Sequence, residues 1–411
     1  MVKARDRGFS LRSIFAVLIA VNLGIAWHAK DKVAQGNSDF VIYYTAIQLV
    51  RDGHGGQLYD LEYQKRYQQT LLPGIRFRDG LLPYNHPPFE VVLFLPLSFL
   101  SYLNAFCIWD LISMSCFVVG LALLLRESKG PRMPTELVIS GCLGFLPLTV
   151  CLLQGQDSAL VFLAYSLTFY NLKRSRDFLA GLSLSLALIK FQVLLAIFPL
   201  LVLKKRSSLL RGFFCGTICA VGVSAAVVGV GGFLSYLSLL REMIGSVNHY
   251  GIYPLQMHCL RGQIYALLYQ NHPFLSQALT VGACALMLGL LLVAWKGEWN
   301  TESEDFELKF SLLIIVSLLI SPHLNFHDLS ILILPGFLIF DRFSLRRTIQ
   351  GSDRRTLAIA FLSGYPLMLS TLLLVPYLAF QSSVLGLLIV SMVLARHVKE
   401  STLVSNAVVS I

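Results

Sequence analysis

The chain has 411 residues, of which 55% are hydrophobic and 14% charged, with a mean hydropathy of +0.68. Apolar runs long enough to cross a bilayer recur along it, so a soluble enzyme is excluded and a polytopic membrane protein is expected. The runs are continuous rather than alternating, and hydrocarbon leaves no backbone group unpaired, which selects an all-α helical body over a barrel. The formal net charge of +10 sits in short connections between the runs, where it reports topology rather than a nucleic-acid partner.

The first run, Leu11 to Ala29, follows Lys3, Arg5, Arg7 and Arg12 and lacks a small-residue cleavage site. It reads as a retained first span with a cytoplasmic N-terminus. Residues 30–88 are then external. Within them, Phe40 to Val50 and Leu58 to Leu72 carry apolar residues at helical spacing but are too polar to span, as helices lying along a membrane surface are.

Phe89 to Tyr102 is apolar but short and must enter and return on the external side; Asn104 to Leu125 then crosses to Arg126, Lys129 and Arg132. The next span starts near Glu136, with Thr135 as its candidate N-cap, and ends near Leu153. Ser158 to Tyr170 returns to the cations Lys173, Arg174 and Arg176. Phe178 to Leu203 is flanked by basic clusters at both ends and interrupted by Lys190. That pattern predicts two half-helices meeting at the lysine, an arrangement tolerated at membrane depth where it lines a polar cavity.

Leu209 to Gly231, Phe274 to Trp295, Phe310 to Ile320 and Asn325 to Phe340 continue the count, with 232–272 a second external segment. Two last spans, 356–376 and 380–396, return the C-terminus to the cytoplasm. The expectation is one integral-membrane domain over 1–411, with about ten full spans plus re-entrant or half helices. Eight of the nine histidines, with Asp39, Asp157 and Lys190, fall at the external side. A polar site opening outward follows.

Asp39 opens the aromatic-rich external loop. It can be a helix N-cap or a general base that takes a proton from an acceptor hydroxyl, and both hold if Ser38 caps instead. Lys190 is central to its apolar run, so snorkelling explains it poorly and a partner must be supplied; a phosphate near the bilayer surface would serve. His323 and His327 have the i, i+4 spacing of a metal pair but only Asp328 beside them. His323, after a Ser-Pro turn, can instead bond a phosphate or sugar hydroxyl, and His327 can be a packed helix-start residue. Tyr43 and Tyr44 are interface anchors or sugar-stacking rings. His86 precedes two prolines that fix an extended backbone, and Gln156 lies in a polar Gln-Gly-Gln-Asp break whose glycine a turn alone would explain. No cysteine framework, P-loop or dinucleotide pattern is present, and no cofactor or metal is expected.

These residues resemble, in their order along the chain, the GT-C superfamily of lipid-linked-sugar glycosyltransferases, and within it family 87, the polyprenol-phosphate-mannose-dependent mannosyltransferases. The matching marks are Asp39 with Tyr43-Tyr44, Gly53 and Tyr59; Pro87-Pro88 followed by Leu95-Pro96-Leu97; Gly155-Gln156; Ala180-Gly181 with Lys190; and Ser321-Pro322-His323. The resemblance implies a polyprenyl-phosphate sugar donor, a glycan or glycolipid acceptor, an inner-membrane location, inversion at the sugar carbon and Asp39 as base. Lys190, His323, His86, Gln156, Tyr43 and Tyr44 are then candidates for the donor phosphate or the substrates. His86 and Phe191 stand where the family often has a tyrosine and a proline. A transporter or flippase of lipid-linked sugars, or a non-catalytic assembly factor, is the alternative; a transporter needs polar groups reachable from both faces.

Overall fold

A computed structural model describes residues 2–75, 77, 80–128, 134–249, 252–303, 305–345 and 380–409. The helices are α1 (Val2–Ala34), α2 (Phe40–Arg51), α3 (Leu61–Leu71), α4 (Tyr102–Glu127), α5 (Thr135–Leu143), α6 (Leu146–Leu153), α7 (Ser158–Lys173), α8 (Asp177–Ser185), α9 (Ile197–Leu203), α10 (Ser207–Gly245), α11 (Leu260–Leu268), α12 (Pro273–Ala294), α13 (Phe306–Ile320), α14 (Ile333–Leu345) and α15 (Ser382–Val409). Shorter helical turns occupy Pro88–Phe99, Leu186–Leu194 and Phe326–Leu332. No strand occurs among the described residues. The fold is an all-α polytopic membrane body.

Six helical segments are long and apolar enough to cross a bilayer, or seven if the bent pair α5–α6, which turns by 58°, is one span. Four expected crossings remain, and of these Asn325 to Phe340 is a turn, Phe326–Leu332, followed by the 13-residue α14. The 356–376 span lies outside the described residues. α7 and α13, at 16 and 15 residues, reach only about 24 and 22 Å at 1.5 Å per residue. Both are packed inside the bundle; in α13 every residue but Glu307 is buried. α8 and α10 approach so closely that a Cβ on Gly181 would stand 1.9 Å from the Leu209 carbonyl oxygen, and one on Gly212 2.0 Å from that of Phe178. Small residues let backbones meet where no hydrophobic gain separates helix from lipid.

Three local expectations need correction. α2 does not lie on a surface, because Phe40 to Leu49 are all buried; a helix apolar all round belongs in a core. α3 turns two glutamines fully inward, while its Leu61, Tyr63 and Tyr67 pack partly buried against the core. Gln64 accepts from the Tyr84 N–H at 2.8 Å and Gln68 from the Leu82 N–H at 3.0 Å. One helical turn apart, they act as a strand edge for residues 82–84 and fix the path of the chain into His86. Thr135 is the first helical residue rather than the cap.

Pro88–Phe99 is a short apolar helix that does not cross, as its length requires, and its first turn packs against α10. The break expected at Lys190 is present. That residue leaves helical geometry (φ −125°, ψ 63°) inside Leu186–Leu194, and α9 follows.

Candidate active site

A cavity of about 280 Å³ opens where the 82–87 segment, the Lys190 break, the end of α10, the 252–261 segment and the 322–328 turn converge. Asp39, His86, Gln156, Lys190 and His323 all line it. Tyr43 stands one layer behind, buried, with its hydroxyl donating to Gln156 Oε1 at 3.2 Å. Tyr44 faces away and donates to the Leu100 carbonyl at 2.9 Å.

Asp39 sits at the first turn of α2 without capping it, and Ser38 does not cap either: its hydroxyl pairs with that of Tyr102 at 2.8 Å. The Asp39 backbone N–H donates to Gln154 Oε1 at 2.9 Å, and its Oδ2 accepts from Gln156 Nε2 at 2.7 Å. The Gln154-Gly155-Gln156 break that supplies both contacts depends on its glycine. Gly155 has φ +61°, and a Cβ there would meet Phe40 at 2.7 Å.

Lys190 does not wait for an external anion. Its Nζ lies 2.8 Å from Asp157 Oδ1 and 2.5 Å from Asp328 Oδ1, with Gln156 Oε1 at 3.5 Å. The partner that an intramembrane cation requires is supplied by the chain itself. Asp157 continues the network to His86 (3.4 Å), whose Nδ1 also meets Glu90 at 2.9 Å. Burial alone would push the His86 imidazole down, but the Glu90 and Asp157 carboxylates outweigh it and raise it to about 10. Burial likewise opposes ionisation of Asp157, yet Lys190 and His86 hold its carboxyl well below the ordinary range.

His323 is held neutral, its imidazole pushed down to about 4 by burial. Its Nδ1 has no hydrogen-bond partner among the described residues. His327, read as a packed residue, places Nδ1 4.0 Å from Asp39 Oδ2 and Nε2 3.5 Å from Asp328 Oδ1.

His323 and His327 do not form a metal cluster. Among the described residues, the group whose ligand atoms come within 4.8 Å of one another is His86, Glu90 and Asp157. A cation there would share Asp157 with the Lys190 ammonium.

Sequence reasoning missed Arg261 and Glu90. Arg261 lines the cavity, buried, and donates to the Pro322 carbonyl at 3.1 Å; no motif surrounds it. Glu90 interrupts an apolar run four residues after His86, the same signal that singled out Lys190. Asp39 and Asp328 are the carboxylates lining the cavity. Only Asp39 lacks a lysine or arginine partner among the described residues, and its side chain is 29% exposed.

The profile described as Glycosyltransferase family 87 matches residues 84–322, more than half of the chain. The match takes in His86, Gln156, Lys190 and Arg261, begins after Asp39 and ends at Pro322. Comparison with curated proteins and with solved structures gives no significant match. On the family match, the chain belongs to glycosyltransferase family 87 and is a membrane glycosyltransferase.

Proposed function

We propose that the chain moves a mannose-like hexose from a polyprenyl-phosphate donor to an acceptor hydroxyl, with inversion and with Asp39 as general base. The site opens to the external face of an inner (plasma) membrane, with both termini cytoplasmic. The carrying observation is Asp39 itself: a partly exposed carboxylate lining the cavity, while the neighbouring Glu90, Asp157 and Asp328 are taken up by Lys190 or His86.

Direct displacement at an anomeric carbon needs a base for the incoming hydroxyl and positive or hydrogen-bonding groups for the departing phosphate. Arg261 brings a permanent cation to the cavity wall and His323 a neutral imidazole, and these serve the phosphate. Ile42, Phe191, Leu240, Met243 and Ile252 give that wall an apolar side suited to a lipid chain, while Asn85, Gln192 and Gln256 offer amides to sugar hydroxyls. A leaving lipid phosphate carries less charge than a nucleotide diphosphate, so the reading assigns no metal.

Asp39→Asn tests the proposal. An amide of the same shape cannot accept the proton, and a positioned base contributes about 10²- to 10⁴-fold in rate. The purified variant should keep its melting temperature and its binding of a synthetic polyprenyl-phosphate mannose, yet lose turnover by that factor. Turnover within a few-fold of wild type would remove Asp39 from the chemistry.

A further inference from the structure

Among the described residues Asp39 has no lysine or arginine partner, yet it is held. Gln156 Nε2 donates to Oδ2 at 2.7 Å, and His327 Nδ1 faces the same oxygen at 4.0 Å. Gln156 is fixed from behind. Gln156 Oε1 receives the Tyr43 hydroxyl at 3.2 Å and Lys190 Nζ at 3.5 Å. Both are donors, so the network decides the amide orientation and turns its NH₂ toward Asp39.

His327 is no second holder: its two nitrogens face carboxylates, Asp39 at 4.0 Å and Asp328 at 3.5 Å, and the single hydrogen of a neutral ring goes to the nearer Asp328. Asp328 is itself pinned by Lys190 at 2.5 Å, Ser158 Oγ at 2.8 Å and the Asn325 N–H at 2.8 Å. An ammonium has three hydrogens. Lys190 hydrogen-bonds Asp328 and Gln156 and forms an ion pair with Asp157.

We infer that Lys190 is a positioning residue for Asp39. It aligns Gln156, whose NH₂ fixes one carboxylate oxygen, so that the other, Oδ1, is presented to the acceptor. The inference rests on Asp39 being the base. In the transfer, the acceptor O–H proton moves to Asp39 Oδ1 as the acceptor oxygen bonds the anomeric carbon. The bond from that carbon to the phosphate oxygen breaks, and its electron pair leaves on the phosphate. Lys190 takes no part in those bonds; it keeps the receiving oxygen in line.

The charged and titratable groups around His327 are Asp39, Asp157, Lys190, His258, His323 and Asp328. Lys190→Met leaves Asp157 and Asp328 without their cation, so the uncharged variant Gln156→Leu is made beside it. The assay is release of polyprenyl phosphate from a synthetic polyprenyl-phosphate mannose, with a membrane lipid extract supplying acceptors.

A misplacement of about 1 Å lowers rate on the order of 10²-fold. Gln156→Leu should therefore lose about tenfold to a hundredfold in kcat, with the donor KM within about threefold of wild type. Lys190→Met should follow the same pattern where it folds. In an Asp39→Asn background neither substitution should lower the residual rate further, because aligned groups that act as one unit are not additive.

A donor KM raised tenfold or more at unchanged kcat would make Lys190 or Gln156 a substrate contact and overturn the inference. A full further loss in the Asp39→Asn background would do the same. Wild-type turnover by Asp39→Asn alone would instead strike at the base assignment beneath it.

Discussion

Helix α7 carries a buried charge cluster at each end, and the two are built differently. Asp157 precedes its first residue and Lys173 is its last, about 24 Å apart at 1.5 Å per residue. At the Lys173 end, four cations each have their own carboxylate: Lys173 with Glu307 at 3.1 Å, Lys309 with Asp305 at 3.0 Å, Arg174 with Glu127 at 2.8 Å, and Arg206 with Asp177. Phe169, Phe306, Trp295 and Trp299 close the space between them, and Lys173 also stands over the Phe306 ring.

At the Asp157 end, Glu90, Asp157 and Asp328 are shared between Lys190 and His86, while Asp39, with no lysine or arginine partner among the described residues, faces a cavity. The side chains of Lys173 and Lys190 are equally deep, at 2% and 5% exposure. Burial of a lysine therefore does not mark a site. What distinguishes the two ends is unequal pairing next to open volume.

If the two clusters face opposite sides of the membrane, labelling should be all or none. In a variant lacking the native cysteines, Gln69→Cys should react with an impermeant maleimide added to intact cells, and Glu298→Cys only after permeabilisation. Equal labelling from outside would break the assignment of the two faces and the outward-opening site with it.

The second comparison is energetic. Lys173→Met strands Glu307 against aromatic rings, and removing one member of a buried pair costs about 3–5 kcal/mol. The melting temperature should fall steeply while the folded fraction keeps its turnover. Lys173→Met with Glu307→Leu should recover most of the loss. A turnover defect in the folded single variant would show that the closed cluster also serves the reaction.

These two clusters also show where sequence reading stops. Lys173 belongs to a basic stretch that reports topology, and nothing in its neighbours announces that Glu307 waits across the bundle. Lys190 is visible because it interrupts an apolar run, and the helix break at that residue follows from the same interruption. Its partners are not visible, since Asp157 and Asp328 come from distant turns. α2 carried a usable signal: Phe40-Val-Ile-Tyr-Tyr offers no polar face, which points to a core rather than a surface. The inward glutamines of α3 offered none, because their partners are backbone groups of Leu82 and Tyr84, and backbone is silent in a residue pattern.

His86 gives the Asp157 end a pH dependence. Its imidazole, ordinarily near 6.5, is held at about 10 by Glu90 and Asp157 against the effect of burial. The folded state thus binds this proton more tightly than the unfolded chain does. The stabilisation is complete below about pH 6.5 and is lost as pH rises toward 10. Melting temperature should decline across that window in the wild type and decline less in His86→Gln. Parallel curves would mean that the imidazole is not charged in the fold.

The smallest effect separates neighbouring tyrosines. Tyr44 gives its hydroxyl to the Leu100 carbonyl, outside the cavity, whereas Tyr43 gives its own to Gln156 Oε1 and lies 3.4 Å from His86 Nε2. A typical intramolecular hydrogen bond contributes about 0.5–1.5 kcal/mol, so Tyr43→Phe and Tyr44→Phe should lower the melting temperature by similar, small amounts. Turnover should divide them. Tyr44→Phe touches nothing that holds Asp39 and should leave kcat unchanged. Tyr43→Phe removes one of the two donors that orient the Gln156 amide, and with Lys190 still in place the amide is loosened rather than freed. A fall in kcat of a few-fold, at constant donor KM, is expected. Identical kcat values for the two variants would mean that Lys190 alone orients Gln156 and that the buried tyrosine at position 43 serves only packing.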